Sequence, residues 1–196
     1  QLTRMLDWIR QQQVIAQLQL SAKTLSLNDV SLIDEIHAAI INAKCEAQFQ
    51  QNQILLRCDP QLISKAKLDA RLFQRLILAA CRLSLHGQQN AKLLFSIDVI
   101  DKNAGQQVIK VSIAVHTSKP LAALPEYLAL IVTESEDTKA LIKNVDIIEY
   151  FKTLLQSQHG SNLNCQLIEQ GYLVSFELPL AIVDKAIYAQ PAVDFK

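Results

Sequence analysis

The four glycines of this chain mark the ends of its periodic apolar segments. Each lies where a helical pattern stops or where two alternating segments meet, which is where a backbone needs the conformations that glycine reaches most easily. None of them belongs to a glycine-rich run of the kind that wraps a phosphate. The glycines therefore delimit secondary-structure elements and do not indicate an anion-binding loop. They are Gly87, Gly105, Gly160 and Gly171.

Helical periodicity dominates the start of the chain. Apolar residues recur at helical spacing over roughly residues 1–20, which predicts an amphipathic helix followed by a mostly polar break. A second helix is predicted to begin near Asn28 or Asp29, because either side chain can accept a hydrogen bond from the free amides of a first turn. The apolar face predicted for this second helix is Leu32, Ile33, Ile36, Ile40 and Ala43.

Two further helices are predicted, and each is closed by a His-Gly pair. One runs from Asp69 to Leu85 and is followed by His86 and Gly87. The other runs from about Val145 to Gln158 and is followed by His159 and Gly160.

Alternating apolar residues predict strands in the remaining segments. The last strand is predicted to stop at Pro179, because proline cannot donate to a strand ladder. Residues 117–143 show little periodicity and contain Pro120, Pro125 and an acidic patch, so an irregular segment is predicted there. The predicted strands are 54–58, 92–101, 107–116, 162–168 and 172–178.

The order of these elements predicts an α+β fold, a two-layer α/β sandwich with helices on one face of a mixed sheet. No strand–helix–strand alternation repeats along the chain. We expect three parts: a helix and linker over residues 1–27, a compact domain over 28–183, and a linker to a following domain over 184–196. The chain is expected to be a piece of a longer protein.

Composition excludes several classes of function. The 19 basic and 19 acidic residues balance, and no basic stripe with interleaved aromatics indicates nucleic-acid binding. No apolar run reaches the length of about 18 residues that spans a bilayer, so any membrane segment is expected outside this chain. The four cysteines, Cys45, Cys58, Cys81 and Cys165, are dispersed and are predicted to be reduced and buried, which favours a cytoplasmic location.

Three segments carry a resemblance to sensor histidine kinases, covering the end of the dimerisation helix and the ATP-binding catalytic domain of the gyrase and heat-shock-chaperone superfamily. The resemblance extends over nearly the whole chain, and it implies that fold. The segments are RLFQRLILAACRLSLHG (residues 71–87), VSIAVHTSKPL (residues 111–121) and FKTLLQSQHGSNLNCQLIEQGYLVSFELPL (residues 151–180).

The chain departs from this family at each of its nucleotide-binding motifs. The two asparagines that serve magnesium and phosphates in active members fall on Leu78 and Arg82, which offer no oxygen ligand. The Asp-x-Gly-x-Gly motif that receives adenine is replaced by residues 117–121, with Thr117 in the place of the aspartate. The second glycine-rich segment is replaced by residues 143–148, which contain no glycine and place Asp146 where phosphate would bind.

The resemblance, read with these replacements, implies a catalytically inactive kinase-like region of a two-component or phosphorelay protein, similar to the non-catalytic region of phosphorelay intermediates of the Rcs type. It implies a homodimer through the first helix, with Leu2, Leu6 and Ile9 at the interface. It also implies a response-regulator receiver or phosphotransfer domain as partner, the cytoplasmic part of an inner-membrane protein as location, and no cofactor or metal.

Two alternatives remain open at this point. The chain is a divergent active kinase if Arg82, Lys119 and Lys143 hold a triphosphate without metal. It is a kinase-derived histidine phosphotransferase if its domain docks a receiver and a histidine lies upstream. His37 is predicted to be a surface helix residue, and His86 and His159 are predicted to serve as helix C-terminal residues.

Overall fold

The computed structural model describes residues 26–103, 105–118, 120–133, 145–161 and 163–183, together with Ile9. Within these residues the helices are α1 (Leu32–Gln48), α2 (Ala70–Ser84), α3 (Glu126–Thr133) and α4 (Val145–Ser157). The strands are β1 (Asn28–Ser31), β2 (Gln53–Cys58), β3 (Lys65–Leu68), β4 (Lys92–Lys102), β5 (Gln106–His116), β6 (Asn164–Ile168) and β7 (Gly171–Ile182).

The strands form one mixed sheet of seven, in the order β1-β3-β7-β5-β4-β2, with β6 paired to β7. Only the β2–β4 pairing is parallel. Alternate residues of β4, β5 and β7 are fully buried, while the residues between them are mostly half-buried, so the helices cover one face of the sheet. This architecture confirms the predicted two-layer α+β sandwich.

The start predicted for the second helix, near Asn28 or Asp29, is wrong. Residues Asn28–Ser31 form β1, which pairs antiparallel with β3 (Lys65–Leu68), a strand that the sequence pattern did not reveal. The helix begins only at Leu32, and the side chain of Ser31 makes no capping hydrogen bond. Ile33, predicted on the apolar face, is 36% exposed. Both four-residue strands are too short to show a period, and their pairing with distant residues defines them.

A short helix, α3, lies inside the segment predicted to be irregular. It follows Pro125, whose carbonyl oxygen accepts hydrogen bonds from the amides of Leu128 (2.8 Å) and Ala129 (2.9 Å). Proline suits the first turn of a helix because the amide it lacks would have no partner there. The acidic patch of Glu134, Glu136 and Asp137 lies outside the described residues.

The last strand continues past Pro179, which the prediction placed at its end. The backbone of Glu177 faces Ser161, because its amide donates to Ser161 Oγ at 2.8 Å and its carbonyl accepts from the Ser161 amide at 2.9 Å. Pro179 lies two residues further along, so its backbone nitrogen points to the same side, away from β5. The missing amide therefore breaks no bond of the β5–β7 ladder, and β7 continues to Ile182.

None of the helices in the described part of the chain combines the length and the apolar content that crossing a bilayer requires.

Candidate functional site

A groove of about 560 Å³ lies between α1 and α2, and Leu78 and Arg82 face it. These two positions are four residues apart on α2, so they share one side of the helix. Leu78 and Arg82 are the two positions at which the resemblance predicted that metal-binding asparagines are replaced, and both therefore lie in this groove. Its lining residues are Ala43, Glu46, Ala47, Gln50, Leu78, Cys81, Arg82, Leu85, His86 and Gly87.

An ion pair joins the two helices across this groove. Arg82 Nε lies 2.7 Å from Glu46 Oε2, and Arg82 Nη2 lies 2.5 Å from Glu46 Oε1. Both guanidinium contacts fall on one carboxylate, which is the strong bidentate arrangement. The side chains are 34% and 42% exposed, so solvent screening limits the stabilisation to about 1 kcal/mol or less. The pair places the Arg82 guanidinium at the position to which the resemblance assigned a metal-binding asparagine.

The segment predicted to replace the adenine-binding motif follows β5. The amide of Thr117 donates to the carbonyl of Gln170 at 3.1 Å, so the backbone continues the pairing of His116 with Gly171. Thr117 is half-buried, and Leu121 packs against the hydrophobic core. Neither residue lines the groove between α1 and α2. Lys119 lies outside the described residues.

Two tyrosines occupy the helix-facing side of the sheet beside this segment. Tyr172 on β7 is fully buried and pairs with Val115, the residue two positions before Thr117 on the same face of β5. Tyr127 on α3 is 7% exposed, and its hydroxyl lies 3.4 Å from that of Tyr172. Burial raises the pKa of Tyr172 to about 12 and raises the pKa of Tyr127 above its usual range, so both hydroxyls stay protonated.

The segment predicted to replace the second glycine-rich motif, residues 143–148, spans the start of α4. Lys143 and Asn144 lie outside the described residues, and the backbone is helical from Val145 onward. Residues 143–148 contain no glycine.

Three of the four histidines occupy different environments. His37 is exposed on α1, as predicted. His86 follows α2, and its ring makes an edge-to-face contact with Tyr127 at a centroid distance of 5.3 Å. His159 ends α4 with φ +56°, so its left-handed backbone closes the helix rather than the glycine that follows.

The cysteines are free, and Cys45 is exposed on α1, so the prediction that all were buried is wrong. Burial raises the pKa of Cys81 and of Cys165 to about 12, which keeps both as inert thiols. Within the part of the chain that the structure describes, no group of three His, Cys, Asp or Glu side chains could hold a metal ion.

The predicted dimer-interface residues are only partly described. Leu2 and Leu6 lie outside the described residues, and Ile9 is helical and 38% exposed. Sequence reasoning did not find Glu46, Tyr127 or Tyr172. Their partners are 36, 41 and 88 residues away in the chain, and no local pattern signals such contacts.

No family model and no curated protein matches this chain. Solved histidine kinases do resemble it. Full-length ShkA in complex with AMPPNP superposes with a TM-score of 0.66 at 17% identity, over 91% of this chain and 36% of that chain. The histidine kinase AdeS of Acinetobacter baumannii gives 0.57 at 11% identity, over 93% and 79% of the two chains. ThkA in complex with the response regulator TrrA gives 0.57 at 14% identity, over 91% and 48%.

These likenesses establish the fold. The chain has the architecture of a histidine-kinase catalytic domain, and it spans about a third of the length of ShkA. Identities below a fifth say nothing about whether the nucleotide chemistry is retained, so the site itself must decide that question.

Proposed function

We propose that this chain is the catalytically inactive, histidine-kinase-like region of a two-component or phosphorelay signalling protein, and that it transmits conformational state without binding ATP. The observation that carries the proposal is the Arg82–Glu46 ion pair at a position where an active kinase would hold magnesium. Magnesium requires oxygen ligands in nearly octahedral geometry. Leu78 supplies none, and the Glu46 carboxylate is already bound to a guanidinium.

The magnitude of the loss supports the same conclusion. Removing two hydrogen bonds to charged partners costs on the order of 3–6 kcal/mol, which corresponds to about two to four decades of affinity. The chain lacks the asparagines, the adenine-binding aspartate and both glycine-rich segments together. The buried Tyr172 also pairs with Val115, two residues before Thr117, where the resemblance places the base.

Calorimetric titration with Mg-ATP tests this proposal directly. We expect no binding heat at nucleotide concentrations up to about 1 mM, because the missing contacts move affinity out of the micromolar range. Binding with a micromolar Kd would overturn the proposal. If that binding also disappeared in Arg82→Ala, the divergent kinase that uses Arg82, Lys119 and Lys143 would be the correct description.

We further propose the setting in which this region acts. Residues 1–27 form a dimerisation helix and linker, residues 28–183 the inactive domain, and residues 184–196 a linker to a following domain, in the cytoplasmic part of an inner-membrane protein. A response-regulator receiver or a phosphotransfer domain is the proposed partner. The solved complex of ThkA with the response regulator TrrA supports a partner of this kind.

A further inference from the structure

The C-terminal end of α2 is capped by tyrosine side chains that come from two other elements. The last carbonyl groups of a helix have no partner within it and need one from elsewhere. The amides of Leu85 and His86 satisfy the carbonyls of Cys81 and Leu83. The Tyr172 hydroxyl donates to the carbonyl of Ser84 at 2.5 Å.

Tyr127 adds a hydrogen bond to one more carbonyl, that of His86 just after α2. Because Tyr127 lies on α3, this bond joins α3 to the end of α2. The Tyr127 hydroxyl donates to the carbonyl of His86 at 3.2 Å, and the His86 ring contacts the Tyr127 ring edge-on. Each phenol carries one proton, and the proton of Tyr172 goes to Ser84. The proton of Tyr127 goes to His86, so the 3.4 Å contact between the two hydroxyl oxygens is a packing contact rather than a further hydrogen bond.

The helix α3 needs such a contact because of its length. It has eight residues, and a helix of that size is not stable in water through its own hydrogen bonds. Its order must come from docking, and in its described part Tyr127 and Leu128 are the buried side chains. Tyr127 alone of these two makes hydrogen bonds to the end of α2.

We propose that Tyr127 and Tyr172 form a built-in lock that holds α3 against the end of α2 without any ligand. The inference rests on the proposed function, since it assigns to two side chains of the chain the place beside Thr117 that the family gives to a nucleotide base. The lock makes the position of α3 independent of nucleotide.

Hydrogen exchange of α3, measured by mass spectrometry on the full chain without nucleotide, tests the lock. Tyr127→Phe keeps the ring and removes the hydroxyl. Tyr150→Phe is the matched control, because Tyr150 is also 7% exposed and its hydroxyl makes no hydrogen bond to the described residues. We expect exchange over residues 126–133 to accelerate about 5- to 10-fold in Tyr127→Phe and to change little in the control.

Two outcomes would overturn the lock: α3 exchanging alike in both variants, or an equal acceleration in every helix of Tyr127→Phe, which would show general destabilisation. Tyr172→Phe should accelerate exchange at the C-terminal end of α2, where the Ser84 carbonyl loses its donor, and in α3. A separate arm adds Mg-ATP to the unmodified protein, and we expect no change. If nucleotide slowed exchange there, the proposed function would fail, while the comparison of Tyr127→Phe with Tyr150→Phe would still decide the lock.

Discussion

At the scale of the single residue, a buried amide shows how this fold holds an irregular loop in place. Gln107 on β5 is fully buried. Its Oε1 accepts a hydrogen bond from the amide of Ile63 at 3.0 Å, and its Nε2 donates to the carbonyl of Gln61 at 3.0 Å. The side chain thus satisfies two backbone groups of the loop between β2 and β3, which have no strand partner.

Replacing this amide by an apolar group of similar size should destabilise the domain. In Gln107→Leu both loop groups lose their partner, and we expect the free energy of unfolding to fall by about 2–4 kcal/mol. Urea denaturation measures it. Gln106→Leu is the matched control, because the neighbouring glutamine is exposed, and its change should stay within about 0.5 kcal/mol. Similar losses in the two variants would show that the buried amide is not what matters.

At the scale of the element, close approach of backbones determines how β7 enters the sheet. Gly171 opens β7 with φ +143°, and a Cβ atom there would lie 1.9 Å from the carbonyl oxygen of Val115. A similar restriction applies at Gly160, where a Cβ atom would lie 2.2 Å from Leu155 Cδ1 and 2.9 Å from Leu178 Cδ2. At Gly171 the obstacle is backbone, which cannot move aside without shifting β5.

The backbone contact at Gly171 and the open space at Gly105 predict unequal effects of a glycine-to-alanine substitution. Gly171→Ala should lower the free energy of unfolding by at least about 2 kcal/mol, because the methyl group meets backbone and the dihedral angle disfavours a side chain. In Gly105→Ala an added Cβ atom meets nothing within 4 Å, so a change below about 1 kcal/mol is expected. Denaturation curves of the two variants give the comparison. Equal stability would refute the close approach at Gly171.

At the scale of the whole molecule, one apolar core stabilises the described domain. Its core is continuous across the sheet and the helices and includes residues from every strand paired with β7. Burial of apolar side chains, which does not depend on the replaced motifs, is the main force that stabilises such a core. The proposed loss of nucleotide binding would therefore leave the fold stable.

The proposed dimer belongs to this scale. We expect sedimentation equilibrium to show a dimer at micromolar concentrations of protein. Leu6→Glu should shift it towards monomer, since a carboxylate in an apolar seam loses its hydration without gaining a partner. Gln12→Glu introduces the same charge at a polar position of the same segment and should leave the dimer intact. A monomeric unmodified protein, or a dimer that Leu6→Glu leaves unchanged, would contradict the assignment of Leu2, Leu6 and Ile9 to the interface.

Local periodicity was enough to predict most helices, the two long hairpins and the α+β class, because an amphipathic helix or an alternating strand carries its pattern within a few residues. The resemblance, and not periodicity, predicted that Leu78, Arg82 and Thr117 replace motif residues of the family. Only the tertiary structure revealed the β1–β3 pairing, the continuation of β7 past Pro179, and the helix α3.

The same division holds for the site. The resemblance predicted that Leu78 and Arg82 replace metal ligands, but only the tertiary structure revealed that Glu46 pairs with Arg82 and that Tyr127 and Tyr172 cap α2. These contacts join residues 36 to 88 positions apart in the chain, and such pairings depend on the packed arrangement of whole elements rather than on any local pattern.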